Sequence, residues 1–75
     1  MTNISRFKDY LNEKVLGYTI DLDKGVYMVY GQRWVKGVGL AFIPLVEVSG
    51  LDVRNEFGKV KDRIDTAMAL QEIMD

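Results

Sequence analysis

The chain contains neither histidine nor cysteine, and each absence closes a class of chemistry. Without imidazole it lacks the side chain whose ordinary pKa places a charge change between about pH 5 and 8. Serine–histidine and cysteine–histidine nucleophile systems are therefore excluded. Structural zinc sites and iron–sulfur clusters fall with them, because both need thiolate or imidazole ligands. Only oxygen-ligand sites for calcium or magnesium stay open. The nearest acidic pairs, Asp21 with Asp23 and Asp62 with Asp65, do not follow the calcium-loop spacing and read as solvated surface carboxylates. No metal and no cofactor is expected.

Long apolar runs are also missing. No stretch approaches the roughly 20 residues needed to span a bilayer, and the start Met1-Thr2-Asn3-Ile4 lacks the basic region and apolar run of a signal peptide. With no cysteine to oxidise, the expectation is a soluble protein of a reducing, cytoplasmic compartment. A strong charge of either sign is absent as well: ten basic against eleven acidic residues leave a net charge of −1. That balance provides no overall field to hold a phosphate backbone, so nucleic acid is a disfavoured partner.

What is present is a short chain rich in apolar residues, which make up 48% of its 75 positions. This length specifies a single domain over residues 1–75. A domain so small buries only about 60% of its unfolded surface, and without disulfide or metal its core rarely supplies more than about 3–5 kcal/mol. Apolar content above what one small core can hide suggests that some of it faces another protein or a second copy.

Hydrophobic spacing divides the chain into elements. Ile4, Phe7, Leu11 and Val15 recur at intervals of three and four, predicting a helix over 3–16, with Thr2 or Asn3 as cap and Gly17 as terminator. The period then becomes two. Tyr18, Ile20 and Leu22 precede Asp23-Lys24-Gly25, which reads as a three-residue hairpin loop. That loop would pair Leu22 with Val26, Ile20 with Met28 and Tyr18 with Tyr30, leaving Thr19, Asp21, Tyr27 and Val29 on the other face. Gly31-Gln32-Arg33-Trp34 reads as the next reversal. A third strand over 35–43 follows, with Gly37 and Gly39 suggesting a bulge and Pro44 either ending central pairing or placing the segment along an edge. Residues 45–51 would cross to a final helix, capped by Ser49 or Asp52 and carried by Phe57, Val60, Ile64, Ala67, Gln71 and Met74. The predicted class is α+β, a three-stranded antiparallel meander packed with an N-terminal and a C-terminal helix.

Two groups of residues exceed what a simple amphipathic pattern needs. In the last helix Leu70 and Ile73 point away from Ile64 and, with Met74, form a second apolar patch of the kind that marks contact surfaces; the bland alternative is that another element clasps the helix end. On the sheet, the expected register sends Tyr27 and Val29 to one face with Arg33 and Trp34 adjoining. Tyrosine, tryptophan and arginine are residue types enriched at binding hot spots. The bland alternative here is a helix on each side of the sheet.

The same aromatics beside Arg33 and Lys36 resemble a platform for stacking single-stranded bases. The strand region 17–46 carries a balance of only +1, however, too little for a basic groove. Lys36-Gly37-Val38-Gly39 lacks the spacing of a phosphate-binding loop. The mixed charges Lys59, Lys61, Asp62, Arg63 and Asp65 suit a solvated helix face. Seven acidic against four basic residues over 47–75 make a weak imitation of nucleic-acid phosphates.

The expectation is a non-enzymatic protein-binding module acting through Tyr27, Val29, Arg33, Trp34, Leu70, Ile73 and Met74, on another protein or as a homodimer. Small chains with spare apolar surface are common among accessory and inhibitor proteins of phages and mobile elements. The competing expectation is a nucleic-acid module using the sheet aromatics with Arg33 and Lys36. An enzyme would have to work with carboxylates, lysines or tyrosines in a cleft that so short a chain has little material to build.

Overall fold

Thr2 sets the first helix: its side-chain oxygen accepts a hydrogen bond from the backbone N–H of Ser5 and caps α1, Asn3–Glu13, satisfying one of the free donors at a helix start. The computed structural model describes the backbone of residues 2–74 and the side chains of residues 2–71. Phe7, Tyr10 and Leu11 of α1 are buried, as their spacing of three and four dictates. The helix ends earlier than expected. Val15, not Gly17, takes the left-handed conformation, with φ of 59°. Its N–H bonds Asn12 C=O at 3.1 Å, and Leu16 N–H bonds Leu11 C=O at 2.8 Å. This paired closure is a Schellman cap, and Leu16 beyond it packs against the core.

Three antiparallel strands follow in the order β1-β2-β3: β1 Gly17–Asp21, β2 Val26–Val35 and β3 Gly39–Ser49. The first hairpin differs from the expected register by one residue, since Tyr18 pairs with Val29, Thr19 with Met28 and Ile20 with Tyr27. The cause is Asp21. Its carboxylate accepts from the N–H groups of Asp23 and Lys24 at 3.1 and 3.2 Å, and its carbonyl accepts from Gly25 N–H at 2.8 Å. This Asx turn draws Leu22 out of the strand and into the loop. A one-residue slip moves every side chain of a strand relative to its partner's faces, so Tyr18 and Ile20 share a face with Tyr27 and Val29.

The second reversal is also displaced. β2 continues through Gly31, Gln32, Arg33 and Trp34 to Val35, and the chain turns over residues 36–38. Gly37 and Gly39 take φ of 84° and 104° there, conformations that favour glycine. Gly31 has a different role. A Cβ on it would lie 3.0 Å from Leu45 Cδ1, so its missing side chain makes room for a neighbour. The register shifts by one where Val29 pairs with Val46 and Tyr30 with Pro44, leaving Leu45 as the extra residue of a bulge. Proline, with no N–H to give to a ladder, stands beside it on an edge strand.

Ser49 ends β3 and caps a short helix, α2 Gly50–Asn55, by accepting from Leu51 N–H at 3.1 Å. The expected crossover over 45–51 is not formed: its residues 45–49 continue β3 against β2, and its last two open this helix. The last helix, α3 Phe57–Met74, contributes Val60 and Ile64 to the core. Phe7, Tyr10, Leu11, Val29, Val48, Val53, Val60 and Ile64 form one buried cluster that joins all three helices to a single face of the sheet. The architecture is the expected α+β meander with its helices segregated to one side.

Candidate functional site

Every helix lies on one side of the three-stranded sheet, and among the described residues nothing layers over the other side. Strand alternation decides which residues it carries. With Tyr27, Val29, Gly31 and Arg33 facing the helices, Met28, Tyr30, Gln32 and Trp34 of β2 face outward. Across β3, Trp34 pairs with Leu40, Gln32 with Phe42, Tyr30 with Pro44 and Met28 with Glu47. Trp34, Leu40 and Phe42 are 73%, 66% and 59% exposed. The Phe42 ring reaches toward β1, within 3.3 Å of where a Gly17 Cβ would stand, and with Tyr30 and Thr19 it lines a shallow hollow. Large apolar groups placed side by side on paired strands and open to water form a patch, which is more informative than scattered exposed residues.

Charge is confined to the ends of this face. Glu47 is exposed beside Met28 at one end, and Lys36 stands in the turn at the other. Asp21 is engaged in its own Asx turn. Between the ends, Met28 to Trp34 and Leu40 to Pro44 present no charged side chain outward.

The residues singled out from sequence separate into four places. Val29 is fully buried and Tyr27 packs its ring 5.0 Å from Phe7 and 5.9 Å from Tyr18, centroid to centroid. Both therefore serve the core side of the sheet, a correction that follows from the Asp21 turn. Trp34 is on the open face. Arg33, its neighbour in β2, points to the helix side, where it borders a cavity of about 200 Å³ with Lys14, Leu45, Met68 and Gln71. Leu70, 54% exposed, lies beside Val46 and Ala67 along the outer margin of β3, on the helix layer and not with Trp34. The side chains of Ile73 and Met74 lie outside the described residues.

Sequence reasoning missed Met28, Tyr30, Leu40 and Phe42 as surface residues. The alternation of Leu40, Phe42 and Pro44 against Ala41 and Ile43 held the signal for β3, but it acquires a direction only once the neighbouring register is known. A smaller exposed group, Ile20, Leu22 and Leu51, gathers at the first hairpin with Lys24 and Arg54 at its margin.

Tyr10 has its pKa raised above the ordinary tyrosine value near 10, first by burial and then by the Asp65 carboxylate that accepts its hydroxyl hydrogen. Lys61 Nζ lies 5.6 Å from the centre of the same ring, a cation–π contact. These interactions join α1 to α3. Lys59 pairs with Glu56 at 3.6 Å on the exposed side of the helix. Among the described residues no group of three or more acidic side chains gathers to hold a metal, and no helix is long and apolar enough to cross a membrane.

Comparison with protein-family models, with curated proteins and with solved structures finds no match to the chain.

Proposed function

We propose that the chain is a non-catalytic protein-binding module whose working surface is the open face of the sheet. One observation carries this reading: Trp34, Leu40 and Phe42 stand exposed together on the side that no helix covers. Burying such side chains provides about 25 cal/mol per Å² of apolar area. Tryptophan and tyrosine add orientation through their polar ends. The β-sheet holds these side chains at fixed spacing before a partner arrives, which lowers the ordering cost of association. Base stacking would have only Lys36, at one end of this face, for a cation, because Arg33 lies on the opposite side from Trp34.

A photo-crosslinking amino acid placed at Phe42, in the cells that make the protein, tests this reading. Covalent adducts to protein are expected from position 42 and not from Lys8, which is exposed on α1, and they should disappear when Leu40→Asp is added. Adducts to nucleic acid alone, or none from position 42, would overturn it.

A further inference from the structure

We infer that the occupant of the open sheet face is a second copy of this chain, packed face to face and turned end for end. The inference rests on the open face being the binding surface. It is carried by the distribution of charge and by area.

Gln32 in β2 stands four residues from Met28 on one side and from Lys36, in the turn beyond the strand, on the other, and its cross-strand partner is Phe42. A twofold axis through this point, perpendicular to the strands and parallel to the sheet, maps the face onto itself. Phe42 then meets the partner's Phe42. Tyr30 meets the partner's Trp34, and Leu40 meets the partner's Pro44. Glu47 beside Met28 is brought to the end where the partner's Lys36 stands, and the pair recurs on the other side of the axis. Such self-complementarity is what a closed twofold interface requires. The opposite arrangement, with the axis along the strands, would bring both copies' Glu47 to one end of the interface and both copies' Lys36 to the other. Like charges gathered at the same end disfavour that alternative.

The area is sufficient for a stable pair. An aromatic side chain presents about 150–250 Å², so Trp34 and Phe42 at their observed exposure offer on the order of 300 Å². Leu40, Pro44 and the half-buried Val26, Met28 and Tyr30 bring the face to roughly 600 Å² per copy, or on the order of 1,200 Å² in the pair, at the lower edge of standard interfaces. Two sheets packed this way lie about 10 Å apart with strands rotated by roughly 30°, the arrangement of a β-sandwich.

Sedimentation velocity on the full chain provides the test. Wild type is expected at twice the 8.6 kDa of one chain, and Phe42→Asp at the single mass with an unchanged circular dichroism spectrum. Glu47→Lys and Lys36→Glu should each raise the dimer Kd about tenfold, and the double exchange should restore it to within about threefold. Because both charged residues are exposed, these variants keep the test meaningful even if Phe42→Asp does not fold. A wild-type monomer at high concentration overturns the inference, as does a dimer that survives Phe42→Asp or a double exchange weaker than either single change. A monomer that still crosslinks another protein through position 42 overturns the second-copy occupant alone. A monomer with no adduct overturns the binding surface as well.

Discussion

Tyr10 on α1 donates its hydroxyl hydrogen to the carboxylate of Asp65 on α3, fastening the first helix to the last. The ring is buried, and ionising it would place a second negative charge beside Asp65. Its pKa is therefore higher in the folded chain than the ordinary value near 10. Above that pH the unfolded chain releases a proton that the folded chain retains, so stability falls as pH rises. The slope contributed by this group is at most about 1.4 kcal/mol per pH unit. Thermal unfolding of wild type and Tyr10→Phe from pH 8 to 11 should converge as pH increases, because only wild type carries this loss. Parallel curves would exclude the link.

Val15 is a β-branched residue in a left-handed conformation, which costs about 1–2 kcal/mol relative to a helical one. Its side chain is exposed and contributes little packing. Replacing it with glycine relieves the strain at the C-cap and gives back part of the gain as unfolded-chain entropy. Val15→Gly should stabilise the domain by about 0.5–1 kcal/mol, raising Tm by a few degrees. A lower Tm would show that the valine side chain is needed where it stands.

At Gly31 the reverse is expected. An added methyl would lie 3.0 Å from Leu45 Cδ1 and 3.2 Å from its Cγ, and the bulge fixes where Leu45 can go. Overpacking of this kind typically costs about 1–3 kcal/mol. Gly31→Ala should lower the urea midpoint, and Gly31→Ala with Leu45→Ala should recover part of the loss. An unchanged midpoint for the single variant would mean that Leu45 moves freely.

Leu22 shows where sequence reasoning reached its limit. The helix carrying Phe7 and Leu11 and the helix carrying Val60 and Ile64 were legible from spacing, whereas Ser49, read as a cap of that last helix, caps the separate α2. The order helix, meander, helix was legible as well. The sheet faces were not, because Asp21 can either continue a strand or turn the backbone with its own carboxylate, and local sequence does not choose between them. Its choice of the turn reverses the roles of Tyr27 and Tyr30. Gly31 misled for a related reason: glycine serves equally for a positive φ and for a close approach, and here Leu45 across the sheet decides. The expectation that apolar surface would remain exposed is met at Trp34 and Leu70, but on two different sides of the molecule.

Trp34 is the only tryptophan, so its fluorescence reports directly on whether the open sheet face is covered by another molecule. If a second copy covers it, wild type at high concentration should emit as a water-shielded indole. It should shift to longer wavelength on dilution, toward the emission of the Phe42→Asp monomer. Identical emission from wild type and that monomer at every concentration would contradict the proposed pairing.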